Sequence, residues 1–282
     1  MIQVEHFIRK LDELPTLPTI YTALSDVMAN PRSTVSDAAN IISRDQASTA
    51  KVLKHANSSI YGIRGQISTI SQAIFFIGFE EVKNLIIALS IMKMFSGLKV
   101  SKTLNPVDLW KHSIAVGVIS RLIGKGLGIK HLEDFFIAGI LHDVGKLMFY
   151  KFLPTEYSEV VNYSNEKKIS LREAEAEKLG ITHTIVGEML AEKWRLPRNI
   201  KNTISSHHSC LVDGKIDETA YCVHLADIIA HFMQYNISNL GMIPKPNINL
   251  WNEFNFSEGF FSKLYPQIIR DYEESASLLL NK

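Results

Sequence analysis

Histidine and aspartate residues suited to binding a metal ion recur along the second half of the sequence. In chain order these residues are His112, the pair His142–Asp143, His183, the pair His207–His208, and Asp227. Each lies in its own predicted helix within an otherwise apolar pattern, so the side chains can converge inside a helical bundle. A mixture of imidazole and carboxylate ligands suits Fe, Mn, Zn or Ni, whereas Mg and Ca prefer oxygen ligands. The pattern therefore predicts a divalent transition metal site.

Two further features of these helices bear on which side chains can share one site. Asp108 precedes His112 by one helical turn on the same face, which makes it a candidate additional ligand. His207 and His208 are neighbours, and neighbouring side chains on a helix point about 100° apart. We therefore expect only one of the two to face the site easily, and we favour His207.

Each candidate ligand also has an interpretation that needs no metal. His112 and His142–Asp143 could form a hydrogen-bonded cluster in the core. Thr182 could cap a helix and leave His183 in its first turn. Lys146, one turn after the His-Asp pair, would be exposed to solvent by default. The residue pattern alone leaves these alternatives open.

Two more histidines and a cysteine lie beside the candidate ligands. His224 and His231 lie three residues before and four residues after Asp227, on the same helix face. We expect them to support Asp227 or to face solvent, and a separate His224–His231 site is the less favoured alternative. Cys210 lies close to His208 and could suggest zinc, but the spacing matches no zinc motif known to us.

The segment Asn57-Ser-Ser-Ile-Tyr-Gly is a polar loop in the first third of the chain. Such a loop could present a surface to a partner or fix a turn, and we favour the structural role. Phe75 and Phe76 are expected to pack in the core, and His55 is expected to be an ordinary surface or core residue.

Composition and charge exclude several classes of protein. The 282 residues carry a formal net charge of +1, with 46% hydrophobic and 21% charged residues, which is ordinary globular usage. This balance argues against a nucleic-acid binder that relies on overall positive charge. Two cysteines, Cys210 and Cys222, are too few for a disulfide framework and fit a reducing compartment. The most apolar run, Leu85–Phe95, is too short to span a bilayer, and the N-terminus lacks a signal-peptide core, so we expect a cytoplasmic protein.

Helical periodicity dominates the chain, and no convincing run of alternating strand residues is present. The predicted fold class is all-α, a multi-helical bundle with an N-terminal helical lobe at residues 1–100, a metal-site lobe at 101–235 and a C-terminal helical tail at 236–282. The predicted helices of the metal-site lobe cover roughly residues 107–124, 132–150, 155–167, 170–178, 182–194, 198–208 and 216–235. The tail is expected to end in a helix from Pro266 towards Leu280.

The order of the histidines and aspartates, together with motifs in the first lobe, resembles a known family. The motifs are Leu14-Pro-Thr-Leu-Pro, Ile42-Ser-Arg-Asp-Gln-Ala-Ser-Thr-Ala-Lys-Val-Leu, Ala56-Asn-Ser-Ser-Ile-Tyr-Gly, Ser71-Gln-Ala-Ile-Phe-Phe-Ile-Gly and Trp194-Arg-Leu-Pro. Over roughly residues 10–235 the chain resembles the HD superfamily of metal-dependent phosphohydrolases and, within it, the HDOD family of bacterial signalling proteins. The resemblance implies an HD-domain-like helical bundle.

The resemblance also implies a role for each matching residue. The first metal would be held by His112, His142, Asp143 and Asp227, while Asp143 would bridge to a second metal completed by His183 and His207. His208, with Asp108, would serve a further site or support the ligands from outside. Lys146 matches a lysine that meets substrate phosphate, so Asp143 and Lys146 are the candidate catalytic residues. One or two bound ions would activate a bridging water and polarise a phosphoryl oxygen.

Two departures from the family pattern refine the expected function. Many HDOD proteins have lost part of the ligand set and are treated as regulatory modules, whereas this chain keeps an unusually full set. The chain lacks the Gly-Tyr-Pro signature of the related cyclic-di-GMP phosphodiesterases, because Ser-Cys-Leu-Val-Asp-Gly follows His207–His208. Hydrolysis of cyclic-di-GMP is therefore not expected.

The resulting prediction is a regulatory HDOD protein with a retained metal site that acts by binding a partner or a ligand. The expected partners are a signalling protein, a nucleotide or phosphate ligand and a second copy of the chain, whereas neither membrane nor nucleic acid is expected. No receiver, cyclase or DNA-binding domain is recognised, so sensory input is expected from a partner or a ligand. One alternative is a working metal-dependent phosphohydrolase acting on a nucleotide or phosphate ester, and another is a metal-free scaffold.

Overall fold

The structure is a computed structural model that describes residues 7–10, 17, 19–58, 60–100, 105–129, 132–235, 243–247, 256 and 259–280. The fold is a multi-helical bundle with one short hairpin, which confirms the predicted fold class. The helices are α1 Thr19–Ala29, α2 Val35–Ser43, α3 Gln46–Ala56, α4 Ile70–Ile77, α5 Phe79–Met94, α6 Pro106–Gly126, α7 Glu133–Leu141, α8 Val144–Phe152, α9 Pro154–Lys167, α10 Leu171–Leu179, α11 His183–Lys193, α12 Arg198–Ser206, α13 Glu218–Phe232 and α14 Phe260–Leu280. The strands are β1 Leu211–Val212 and β2 Lys215–Ile216.

The chain divides into two compact units. One comprises Met1–Thr16 and Phe95–Ile268, and the other comprises Leu17–Met94 and Ile269–Lys282. All candidate metal ligands belong to the first of these, which we call the metal-site unit. The residues of α14 are shared between the two units.

Three predicted elements differ from the observed ones. The helix predicted at 132–150 is two helices, α7 and α8, separated by His142 and Asp143. The helix predicted at 198–208 ends at Ser206. The final helix begins at Phe260 and contains Pro266 in its interior, not at its start. Apolar residues flank the first break on both sides, at Leu141 and Val144, which is why helical periodicity did not locate it.

A short hairpin of two-residue strands interrupts the helical pattern without changing the all-α class. Leu211 pairs with Ile216 and Val212 with Lys215, in antiparallel register. Asp213 and Gly214 form the turn with φ of 50° and 74°, the left-handed values that a tight hairpin requires. Strands of two residues are too short to produce a recognisable alternating pattern.

Glycines let the helices that carry the ligands approach closely. A Cβ atom on Gly139 of α7 would lie 2.5 Å from the Cα of Gly117 in α6. A Cβ atom on Gly145 of α8 would lie 2.0 Å from the carbonyl oxygen of His183 and 2.8 Å from the nitrogen of Gly187 in α11. The α6–α7 and α8–α11 contacts therefore depend on the absence of a side chain, and both lie beside candidate ligands.

The second unit contains the polar loop that follows α3. The Asn57 side chain donates to the carbonyl oxygens of Leu53 and Ile67, both at 2.8 Å, and accepts from the Ile67 backbone N–H at 2.8 Å. His55 is buried, and its Nε2 lies 2.7 Å from the hydroxyl of Tyr61 and 3.3 Å from Oε1 of Glu81. These bonds support the structural role favoured for the loop.

The apolar run Leu85–Phe95 falls largely within α5, where most of its side chains are buried. The expectation that Phe75 and Phe76 pack in the core is wrong, because they are 80% and 54% exposed on α4. In the described part of the chain, no helix combines the length and apolar character needed to cross a bilayer.

We expect Gly145→Ala to destabilise the metal-site unit by about 1–3 kcal/mol, because the methyl group would overlap the His183 carbonyl and force α8 and α11 apart. Urea unfolding would measure the change. Gly97→Ala is the control, since nothing lies within 4 Å of a Cβ atom at that position. Equal effects of the two changes would contradict the close-contact interpretation.

We expect Asn57→Ala to lower the free energy of unfolding by about 1–3 kcal/mol, because it leaves the buried Ile67 backbone groups without the partners that Asn57 supplies. Thermal or urea denaturation measures this change. The exposed neighbour Gln66 provides the matched control Gln66→Ala, for which a change within about 0.5 kcal/mol is expected. A neutral Asn57→Ala variant would show that the loop is not held in this way.

Candidate metal centre

The structure brings the predicted ligands together inside the metal-site unit. His112 projects from α6, His183 from the start of α11 and Asp227 from α13. His142 and Asp143 lie in the α7–α8 turn, while His207 and His208 follow the end of α12. All of these side chains are buried except that of His208, which is half-buried.

One side of the cluster is formed by His112, His142, Asp143 and Asp227. Nε2 of His112 lies 2.9 Å from Oδ1 of Asp227. Nε2 of His142 lies 3.3 Å from Oδ2 of Asp143, and the His112 and His142 ring centroids are 5.7 Å apart. Two imidazoles and two carboxylates therefore meet in this half, which we call the His112 half.

The other side is formed by Asp143, His183, His207 and His208, and we call it the His183 half. Oδ1 of Asp143 lies 3.4 Å from Nε2 of His183 and 3.9 Å from Nε2 of His207. Nε2 of His183 lies 3.1 Å from Nε2 of His208. Asp143 thus faces each half with a different oxygen, as a bridging carboxylate would. His207 and His208 both face this half, although neighbouring residues on a helix would point in different directions. They can do so because both follow Ser206, the last residue of α12.

Helix ends orient two of the imidazoles. Nδ1 of His142 lies 2.7 Å from the carbonyl oxygen of Gly139 in the last turn of α7. Nδ1 of His207 lies 3.2 Å from the carbonyl oxygen of Ile204 in the last turn of α12. These carbonyls have no partner within an ideal helix and require a donor, so each ring carries its proton on Nδ1. Nε2 of each ring then points into the cluster.

The inward-facing atoms are buried without hydrogen-bond partners, which is the test of whether a metal ion fits. Among the described residues these atoms include Nε2 of His112, His142 and His207, and Oδ1 of Asp143 and Asp227. They lie close together but are not aligned for hydrogen bonds. With metal–ligand bonds of about 2.0–2.2 Å, neighbouring donor atoms lie roughly 3.0–3.5 Å apart. The separations of 2.9, 3.3 and 3.4 Å are close to this range and suit a coordinated divalent ion. The separation of 3.9 Å between Nε2 of His207 and Oδ1 of Asp143 is longer than this range.

Both carboxylates are held in the ionised form. Burial alone would raise the pKa of Asp143, but the charges of His142 and Lys146 hold that pKa well below its ordinary value. Burial likewise opposes ionisation of Asp227, and His231 and His112 outweigh it, so this pKa is also well below the ordinary value. Ionised carboxylates are the form that binds cations.

Three of the imidazoles are held in the neutral form. Burial lowers the pKa of His112, and burial together with neighbouring imidazoles lowers the pKa of His207 and His208 well below the ordinary value. A neutral imidazole retains the lone pair that a metal ion needs. His142 differs, because burial alone would lower its pKa but the charge of Asp143 outweighs burial and raises it. A metal ion at Nε2 of His142 would therefore have to displace a proton, whereas His112, His207 and His208 already have the neutral form that a metal site requires.

Lys146 lies against the cluster and not in solvent. Its Nζ is 2.6 Å from Oδ2 of Asp143, and its side chain is only 12% exposed. Burial alone would lower the pKa of Lys146, but the charge of Asp143 raises it overall, so the lysine remains charged. The default expectation of an exposed lysine is wrong.

Asp108 lies apart from the two halves. It accepts from Nδ2 of Asn105 at 2.7 Å and pairs with Nζ of Lys111 at 3.2 Å in the first turn of α6. It belongs to none of the histidine–carboxylate groups found among the described residues. These contacts explain its position as part of the helix start.

The sequence reasoning missed Glu175, a completely buried carboxylate on α10. It lies four residues after Leu171 and four before Leu179, both buried, so it shares their helix face. Its Oε2 accepts from the backbone N–H of His183 at 2.8 Å and lies 2.6 Å from Nδ1 of the same residue. Thr182 occupies the predicted cap position but makes no capping bond. The signal in the sequence was a charged residue, Glu175, on the same helix face as apolar residues four positions before and after it.

The histidines flanking Asp227 have separate contacts. Nδ1 of His231 lies 3.1 Å from Oδ1 of Asp227, which agrees with a supporting role. His224 instead accepts from the backbone N–H of Asn247 at 3.2 Å. Cys210 is buried, and burial raises its pKa to about 12, which disfavours the thiolate that zinc binding needs.

Comparison with known proteins places this arrangement in a family. A model of the HDOD domain matches residues 14–210. An HDOD domain protein with unknown function from Geobacter sulfurreducens is 28% identical, with a TM-score of 0.78 over 97% of this chain and 96% of that protein. A Shewanella amazonensis protein provisionally named a phosphohydrolase is 24% identical, with a TM-score of 0.74 over 97% of each chain, and shows likeness of fold.

A curated relative extends the comparison beyond solved structures. An uncharacterized protein of Treponema pallidum (strain Nichols) is 25% identical over 201 residues, which cover 71% of this chain and 38% of that protein. The match thus spans little more than a third of the relative's length. Because the family model covers well over half of the sequence, the chain belongs to the HDOD domain family.

Proposed function

We propose that this chain is an HDOD signal-transduction protein whose centre binds one or two divalent transition metal ions, Fe, Mn, Zn or Ni, and which acts by binding a partner or a ligand. The observation that carries the metal proposal is the convergence of buried, unpartnered side-chain atoms from α6, α13, the α7–α8 turn and the residue that follows α12. Leaving each such atom unsatisfied costs about 1–3 kcal/mol. A bound cation would offset that cost.

The residues divide between two ions that share Asp143. His112, His142, Asp143 and Asp227 would hold the first ion, with His231 close enough to His112 and Asp227 to join it. Asp143, His183 and His207 would hold the second ion, with His208 in the same histidine group. When bound, the ions lower the pKa of a coordinated water and polarise a phosphoryl oxygen. Asp143 contributes one oxygen to each half and is held in place by Lys146.

A regulatory output is supported by how deeply the centre is buried. His142 and His207 have 0% exposure, and Asp143 has 2%. An ion there would join α6, α11, α12 and α13 through their own side chains, and it would stabilise the arrangement that binds it. A partner protein that recognises this arrangement would sense the metal or a ligand reaching it. The partner surface and a homodimer remain proposals, and much of the tail at 236–282 lies outside the described residues.

The alternative function is hydrolysis of a nucleotide or another phosphate ester. Lys146 favours it, because this charged lysine lies 2.6 Å from a candidate metal ligand and retains 12% exposure. A cation beside a metal ion is suited to neutralising a phosphoryl oxygen. In this function Lys146 would orient the substrate phosphate, and Asp143 would position the reacting centre.

We expect protein purified without a His-tag or nickel column to contain about one to two equivalents of Fe, Mn or Zn per chain. The Asp143→Ala variant should lose this metal, because the Asp143 carboxylate faces both halves of the centre. Elemental analysis measures the content. Asp213→Ala, at a carboxylate that is 83% exposed, serves as the control and should retain the metal.

The opposite result would favour a metal-free scaffold. In that case neither wild-type protein nor variant contains metal, reconstitution with Mn or Fe fails, and chelator leaves the melting temperature unchanged. His142→Ala would still lower stability, because it removes a fully buried side chain from the core.

A turnover screen tests whether the protein is a phosphohydrolase. The protein is supplied with Mn or Fe and assayed against mononucleotides, cyclic nucleotides and cyclic dinucleotides. If the protein is a phosphohydrolase, Asp143→Asn abolishes product formation, and Lys146→Met lowers kcat/KM at least about tenfold by removing the phosphate-facing charge. Asp213→Asn should leave turnover unchanged. A blank screen on metal-loaded protein would contradict the enzyme and support the regulatory role.

A further inference from the structure

Glu175 has an arrangement of contacts that metal ligation by the histidines does not by itself explain. Three donors surround its carboxylate: the backbone N–H of His183 at 2.8 Å, Nδ1 of the same residue at 2.6 Å, and the hydroxyl of Tyr157 at 2.7 Å. The residue has 0% exposure. A carboxylate at this depth that meets only donors is a preorganised acceptor, and two of its three bonds go to one residue.

His183 is thereby held differently from two other imidazoles of the centre. His142 and His207 bond through Nδ1 to neutral backbone carbonyls of their own helices. His183 lies at the beginning of α11, where the backbone offers donors and lacks free carbonyls. An acceptor for its Nδ1 must therefore come from another element, and α10 supplies it through Glu175.

We propose that Glu175 is a positioning residue that fixes His183 in the tautomer with its proton on Nδ1, and that it thereby sets the metal affinity of the His183 half separately from the His112 half. This inference rests on the proposed function for its metal part. The Nε2 lone pair of His183 is directed at Oδ1 of Asp143, 3.4 Å away, and at Nε2 of His208, 3.1 Å away. A carboxylate behind an imidazole also strengthens the ring as a ligand.

The geometry separates the two halves of the centre. The recorded side-chain bonds of Glu175 go to His183 and to Tyr157 on α9. His112 and Asp227, by contrast, contact each other and His231. A change at Glu175 should therefore act on the second ion, while the first ion keeps its own supports.

Glu175→Leu tests this idea by removing the acceptor. A glutamine would not do so, because both bonds from His183 end on the same oxygen, Oε2, while the Tyr157 hydroxyl bonds to Oε1. The glutamine carbonyl oxygen can accept both His183 bonds and the amide can donate to the Tyr157 hydroxyl, so Glu175→Gln should keep the ring proton on Nδ1. Leucine leaves Nδ1 without an acceptor, and the ring proton then moves to Nε2, which lies 3.4 Å from Oδ1 of Asp143. The lone pair directed at Asp143 is then lost without removal of the ring.

The first measurement is the tautomer in metal-free protein, read from the imidazole nitrogens by ¹⁵N–¹H NMR. In wild-type protein and in Glu175→Gln we expect His183 to carry its proton on Nδ1, and in Glu175→Leu to carry it on Nε2. The second measurement is metal titration followed by elemental analysis or calorimetry. Wild-type protein should bind two ions, and Glu175→Leu should bind the second about 10–100-fold more weakly with the first unchanged.

Tyr157→Phe is the matched control. It removes one hydrogen bond to Glu175 at a position that does not touch His183, so it should lower stability while leaving the His183 tautomer and the second ion unchanged. A merely structural role of Glu175 predicts that Glu175→Leu and Tyr157→Phe both lose stability and that neither moves the ring proton. That result would overturn the inference.

The outcomes separate this inference from the proposed function. If wild type and Glu175→Leu bind both ions with equal affinity, the role of Glu175 is overturned and the metal centre stands. If wild type binds no ion, the proposed function and the affinity part of this inference are overturned. The tautomer measured in metal-free protein would still decide whether Glu175 positions His183. Loss of the first ion alone in Glu175→Leu would contradict the separation of the two halves.

Discussion

The buried carboxylate of Asp143 is the group on which the arrangement of the metal-site unit depends. Isolated negative charge in a protein interior is strongly unfavourable, so it must be surrounded by cations, donors or metal ions. Lys146 lies 2.6 Å from one of its oxygens, and the imidazoles of His142 and His183 lie within 3.4 Å. The negative charge of Asp143 is therefore compensated by groups from several elements. The turn between α7 and α8 places the carboxylate within reach of these groups.

Close backbone contacts make that convergence possible. Gly145 is two residues after Asp143 and lies against the backbone of His183, while Gly139 lies against Gly117 in the helix of His112. At both contacts a side chain would separate helices whose histidines must approach a common point. The glycines set the spacing between the helices, and that spacing sets the distances between the donor atoms of the ligands.

Outward-facing nitrogens complete the organisation of the centre. Helix C-termini offer free carbonyls, and His142 and His207 use them to direct Nε2 inward. A helix N-terminus offers none, and His183 depends on Glu175 from another helix. The same physical asymmetry of the α-helix therefore produces two kinds of support within one cluster. It also gives the two halves of the centre different outer environments.

Much of this protein could be predicted from its amino-acid order, because helical periodicity and ligand chemistry are local properties. The all-α class, the family motifs and most of the residues that meet at the centre follow from such patterns, whereas the predicted Asp108 lies apart from it. Only the tertiary structure decided the break at His142–Asp143, the burial of Lys146 and the part played by Glu175. It also decided the exposure of Phe75. These features depend on which distant helix lies opposite a residue, and apolar periodicity along one helix carries no information about that.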